Sequence, residues 1–163
     1  MHPIVEEAAK KAAVAWLTVP GAGPGYAVWC LWIEDSLYVV TGPGEQPAAG
    51  LPEAAAATVT LRGDHGGRVV SWPAEVSAVD IGTPQWDVIA PALAAKRLNA
   101  VGGPQQTVLR WAQGCQIIRL RPVGEPGEAG PSLPDGSLAA IPPETPAARP
   151  ARKPFRLHRV RKR

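Results

Sequence analysis

Apolar residues recur at helical spacing over residues 5–19, where Val5, Ala8, Ala9, Ala12, Ala13, Trp16 and Leu17 share one side and Glu6, Glu7, Lys10 and Lys11 the other. The pattern predicts one amphipathic helix, braced by Glu6–Lys10 and Glu7–Lys11 pairs, with Trp16 as its core anchor. Pro20, Gly21, Gly23, Pro24 and Gly25 then stop it. The rhythm changes at residues 27–33, AVWCLWI, an unbroken apolar run of strand length. Such a run predicts a strand buried on both faces or at a subunit interface. Glu34, Asp35 and Ser36 turn the chain, and residues 37–41, LYVVT, return as the second half of a hairpin.

Proline and glycine at Gly42, Pro43, Gly44 and Pro47 end that strand in a tight rim loop carrying Glu45 and Gln46. An alanine-rich stretch, residues 48–57, predicts a short helix or turn. Two further strands follow, residues 58–62 and 68–79, joined by a turn at Asp64, His65, Gly66 and Gly67. Pro73 marks the second of them as an edge strand or a bulged one. Thr83 can cap a helix beginning at Pro84, with Trp86, Ile89, Ala90 and Leu93 along one side, and Pro91 predicts that this helix kinks or divides. Residues 107–111 and 115–120 read as the last strands.

Composition divides the rest. With 17 Gly and 19 Pro in 163 residues, part of the chain is expected to lack regular structure, and the prolines gather after Arg121. Residues 1–123 therefore read as one folded domain, 124–148 as a flexible Pro/Gly-rich linker, and 149–163 as a disordered basic tail. The tail, from Arg149 to Arg163, holds eight basic and no acidic residues against a net charge of +3 for the whole chain. The pI near 9.1 comes from this tail, and the folded part is mildly acidic. Cys30 and Cys115 lie in apolar runs without the spacing of a zinc site or a disulfide framework, so buried free thiols are expected. The first residues lack the basic start of a signal peptide and no apolar run approaches a membrane span, which predicts a soluble cytoplasmic protein.

The order of elements, a helix, the hairpin VWCLWIEDSLYVVTGPGEQPAAGL, two strands around RGDHGGR, a helix and a closing strand, resembles the pyridoxamine 5′-phosphate oxidase-like split β-barrel family of actinobacterial type. Residues 28–41 resemble that family's two strands, residues 42–46 its loop, and Leu51 its closing leucine. The likeness spans roughly residues 5–121. It implies a mainly β fold, a six-stranded split barrel with flanking helices, that forms a homodimer and binds FMN or the deazaflavin coenzyme between subunits. In that family a loop serine and lysine and basic residues on the neighbouring strand hold the phosphate. This chain departs there, because Glu45, Gln46 and Pro47 replace them and Glu45 repels a phosphate.

Candidate cofactor residues follow from that implication. Arg62 and Arg68, flanking the Gly63–Gly67 turn, can substitute as bidentate anion donors. Thr41, Gly42, Glu45 and Gln46 form the rim loop, and Trp72 is the ring assigned to stack on a flavin. Arg62 and Arg68 also read as strand-end charges, and Arg97 as a basic helix end facing its own carbonyls. No side-chain catalyst is named, since a flavin ring carries its own redox chemistry. Two readings result. One is a flavin-type oxidoreductase; the other is a cofactor-free dimeric binding module whose tail, with Phe155 among its charges, holds it to nucleic acid or another acidic surface.

Overall fold

The chain begins with a helix that ends much sooner than its apolar spacing predicts. In the computed structural model, which describes residues 2–63, 67–98 and 100–133, α1 is Pro3–Lys11. The Nδ1 of His2 caps it by accepting from the Ile4 amide at 3.3 Å. Val5 and Ala9 face the core, while Lys10 and Lys11 pair with Glu6 and Glu7 at 2.6 and 3.2 Å. Beyond Ala12 the period falls to two. Val14–Thr18 is strand β1, alternately exposed and buried, so Trp16 belongs to a strand and is 37% exposed rather than anchored in the core.

Seven more strands follow: β2 Tyr26–Trp29, β3 Leu31–Ile33, β4 Ser36–Thr41, β5 Ala56–Arg62, β6 Arg68–Ala78, β7 Gln116–Pro122 and the two-residue β8 Glu128–Ala129. All pairings are antiparallel, in the order β2-β1-β5-β6-β7-β4-β3, with β8 added beside β6. Since β2 and β3 are successive in the chain yet stand at opposite ends of this order, the sheet curls until it is nearly a closed barrel. Eight strands among the described residues thus replace the six expected. The additions are β1, β8 and the division of residues 27–33 at Cys30, whose amide bonds the Ala13 carbonyl at 3.1 Å, and the one loss is residues 107–111, which are helical.

The apolar runs are explained by two cores on either side of the sheet. Leu17, Leu37, Leu51, Val59, Trp72 and Leu120 fill the barrel interior with Val5 and Ala9 of α1. On the outside, Tyr38, Val40, Val79 and Ile117 pack against Trp86, Leu93 and Trp111. All six residues of β4 are buried, so the strand covered on both faces is β4 and not the 27–33 run. Each large side chain sealed this way contributes about 1.5–3 kcal/mol of transfer free energy.

Two helices form the outer layer. Thr83 caps α2, Pro84–Lys96, by accepting from the Trp86 amide at 3.2 Å, and Pro91 sits inside this helix without dividing it. Residues 107–111 are helical, not a strand: they lie in α3, Gly103–Gly114, which carries Pro104 in its first turn and buries Thr107 and Trp111 one turn apart. Residues 48–55 contain turns and no helix, with Leu51 buried. Pro73 lies on an interior strand rather than an edge. Its carbonyl accepts from the Val123 amide at 3.0 Å, where the neighbour of β6 changes from β8 to β7. A strand residue's amide and carbonyl point the same way, so the missing donor falls at that change of partner. Cys30 and Cys115 are free and buried, and burial pushes the Cys30 thiol up to about 12. From Gly124 the chain adds β8 and a 3₁₀ turn, Gly130–Ser132, before the described residues end. Most of the linker reading and all of the basic tail lie outside the described residues, as do Asp64, His65, Gly66 and Asn99.

Candidate functional site

The outer face of the β1–β2 ladder carries exposed apolar side chains. The register sets Trp16 opposite Ala27 and Val14 opposite Trp29, and cross-strand partners point to one side of a sheet. Val14 is 49% exposed and Trp16 37%, with Ala27 exposed and Trp29 half-buried beside them. An arginine closes each end. The Arg62 guanidinium lies 4.8 Å from the centroid of the Trp16 ring, and that of Arg97 lies 5.9 Å from the Trp29 ring. Two indoles and two cations therefore border one apolar strip, with a cation–π contact at either end.

Beyond Trp16 the strip meets a groove of about 360 Å³ between α1 and the β5–β6 hairpin, where Glu7, Lys11, Arg62 and Val69 line the walls. Arg68 is the register partner of Arg62, but its side chain is only 8% exposed and its Nη1 bonds Glu128 of β8 at 3.1 Å. This pairing ties the end of the described chain back to the hairpin. Trp72 lies in the barrel core, 1% exposed, and within the protomer its ring has no open face for stacking.

At the other end of the strip stands the loop after β4. Thr41 Oγ1 donates to the Gln46 carbonyl at 3.0 Å and closes the loop on itself. Gly42 has φ 136°, and a Cβ there would stand 2.8 Å from the Gly114 carbonyl oxygen and the Cys115 Cα, so only glycine lets the loop lie against the end of α3. Gln46 fills a gap in the barrel. Its Oε1 accepts from the Trp29 amide at 2.6 Å, and its Nε2 donates to the Trp29 carbonyl at 2.7 Å and towards that of Val40 at 3.5 Å. The carboxamide thus stands in for a peptide rung where β2 parts from β4.

Glu45 is a charge hub. Its side chain is 2% exposed; Oε2 accepts from Arg97 Nε at 2.9 Å, and Oε1 from Arg110 Nη2 at 2.6 Å and Trp111 Nε1 at 2.9 Å. Burial opposes its charge, but the bonds from Trp111 and Arg110 and the charge of Arg97 outweigh it and hold the carboxyl below the ordinary glutamate range. The repulsion expected of Glu45 towards an anion is therefore neutralised within the protein, and one positive charge is left over from the two arginines.

Of the residues singled out in the sequence, Thr41, Gly42, Glu45 and Gln46 meet in this loop, Arg62 and Arg68 meet at the hairpin, and Trp72 is inside the barrel. Trp16, Trp29, Arg97 and Arg110 were not among them as a site. Arg97 does meet a neighbouring carbonyl, that of Leu98 at 3.2 Å, but its Nε serves Glu45. Arg110 sits in the segment that read as a strand; on a helix, spaced one residue before Trp111, it faces the loop. The signal available was the i, i+4 spacing of Thr107 and Trp111. Among the described residues no group of three or more His, Cys, Asp or Glu could hold a metal ion, and no helix is long and apolar enough to cross a membrane.

No family model and no curated protein matches the chain. Among solved structures, HutZ, the heme storage protein from Vibrio cholerae, is similar with a TM-score of 0.54 at 15% identity, over 77% of this chain and 92% of that one. The fold is a split β-barrel, mainly β and nearly closed, with three flanking helices. A putative general stress protein 26 from Jannaschia sp. CCS1 matches with a TM-score of 0.49 at 13% identity, over 71% of this chain and 69% of that one. A FAD-binding protein from Mesorhizobium loti matches with a TM-score of 0.46 at 14% identity, over 72% and 84%.

Proposed function

We propose that this split barrel is a pyridoxamine 5′-phosphate oxidase-like protein that binds a flavin-type cofactor, FMN or the deazaflavin coenzyme, and acts as an oxidoreductase. The observation that carries this reading is the strip on β1–β2, two accessible indoles with an arginine over each. A planar, electron-poor ring with an anionic appendage matches such a surface: indole faces stack on the ring, and guanidinium groups meet its phosphate and polar edge. Arg62 lies on the ring side, over Trp16 and beside the groove below α1. Arg68 fixes the hairpin through Glu128 and so positions Arg62. Bound there, the cofactor's ring supplies the hydride chemistry. The chain's own residues orient it, exclude water from one face and set the local charge. A second copy of the chain, packed over the exposed strip, would form the opposite wall.

HutZ stores heme, another planar anionic ring, but heme iron calls for an axial ligand. Among the described residues the one imidazole is His2, whose Nδ1 is engaged in capping α1. The strip favours a ring held by stacking and charge alone.

The test is a fluorescence titration of purified full-length protein with FMN, with the deazaflavin coenzyme and with heme, alongside light scattering for the dimer. The expected result is binding of one of the two flavins at about micromolar Kd or tighter, weakened about tenfold or more by Arg62→Ala. No saturation by either flavin up to about 1 mM would overturn the reading.

A further inference from the structure

We propose that Arg97 and Arg110 form the anion pocket of this protein, taking a phosphate group in place of the lysine that the loop after β4 lacks. The inference rests on the flavin reading for its ligand but on separate residues for its site. Behind the rim loop is a pocket of about 300 Å³, lined by Pro43, Gly44, Arg97, Ala100, Val101 and Arg110. Among the described residues no acidic side chain lines it. Glu45 lies beneath, 2% exposed, and spends both oxygens on orienting the two guanidinium groups. Two cations on one carboxylate leave one positive charge in excess.

The remaining donors are defined by what is used. Arg97 commits Nε to Glu45 and Nη1 to the Leu98 carbonyl, leaving Nη2. Arg110 commits Nη2 to Glu45 and Nη1 to the Pro43 carbonyl, leaving Nε. Their side chains are 30% and 44% exposed, so both groups keep access to solvent while Glu45 fixes them. Gly44, at φ 78°, offers bare backbone as one wall; a Cβ there would come within 3.0 Å of Arg110 Nη1. Two pre-oriented guanidinium donors, one from each arginine, beside an uncrowded backbone suit the oxygens of a phosphate monoester. Arg97 also lies over Trp29, so the pocket adjoins the strip on which the ring is proposed to stack.

The test compares FMN with riboflavin, which differs only in lacking the phosphate, on the full chain. The expected result is that FMN binds about tenfold or more tightly than riboflavin, and that Arg97→Gln with Arg110→Gln abolishes this preference, so that the variant binds FMN and riboflavin alike. Arg110→Lys keeps the charge for a folding control by circular dichroism, and Arg121→Ala, a surface arginine paired with Glu75, controls for net charge. Equal affinity of the wild type for both flavins would overturn the pocket and leave the flavin reading intact. Should neither flavin bind, nitrogen-15 NMR of the arginine side chains with inorganic phosphate decides: a shift confined to Arg97 and Arg110 supports the pocket, and no shift overturns it.

Discussion

Glu45 shows how one buried carboxylate can turn an unpromising loop into a usable surface. It has Arg97, Arg110 and Trp111 as donors, and removing its charge strands two guanidinium groups that it orients. Because both arginines keep partial access to water, the penalty falls short of that for a fully buried pair. Glu45→Gln is expected to cost about 2–3 kcal/mol, read from urea unfolding at neutral pH. The same carboxylate sets a pH dependence. Its folded pKa lies below the unfolded value of about 4.3, so its contribution is complete above that value and is lost as pH falls through the folded pKa. Asp35, lowered by its bond to Ser36 and then by Arg119, acts in the same direction. Unfolding free energy should therefore drop below about pH 4.5 in the wild type and drop less in Glu45→Gln. Gln46 presents the complementary case of a neutral group. Gln46→Ala removes both bonds to the Trp29 peptide and should cost about 2–3 kcal/mol; a change under about 0.5 kcal/mol would mean that water replaces the carboxamide.

At the scale of elements, Pro91 marks a conflict between local preference and packing. Inside a helix it removes a donor and crowds the preceding turn, yet α2 continues past it, held by Trp86, Ile89, Ala90 and Leu93 on its buried side. Pro91→Ala should raise stability by about 1–3 kcal/mol, visible as a higher Tm; a loss would show that the ring packs usefully against α3. The strands β4 to β7 and helix α2 were legible because their runs are rich in β-branched residues or carry a cap at Thr83. Two elements were not. Residues 5–19 fit a single helix since Ala8, Ala9, Ala12 and Ala13 satisfy helical spacing, and the alternation that defines β1 begins only at Val14. Residues 107–111 hold Thr, Val, Leu and Trp, good strand formers, but Pro104 at the start and burial of Thr107 and Trp111 together decide for α3.

At the scale of the molecule, the candidate site was only half legible. The rim loop and Arg62 could be named from sequence, because glycines and an arginine at a turn are local signals. The strip of Val14, Trp16, Ala27 and Trp29 could not, since it exists only once β1 is a strand paired with β2 and the barrel curls to bring α2 and α3 to its far end. Arg97 and Arg110 likewise become neighbours only through Glu45. The account stands on this assembled surface, so the most direct measurement is a titration of the full-length protein with FMN and with the deazaflavin coenzyme, followed by flavin fluorescence, in the wild type and in Trp16→Ala. Saturable binding of one cofactor at about micromolar Kd, weakened at least about tenfold by Trp16→Ala in a variant that stays folded, is the predicted result. Binding that Trp16→Ala leaves unchanged, or no binding of either cofactor, would contradict it.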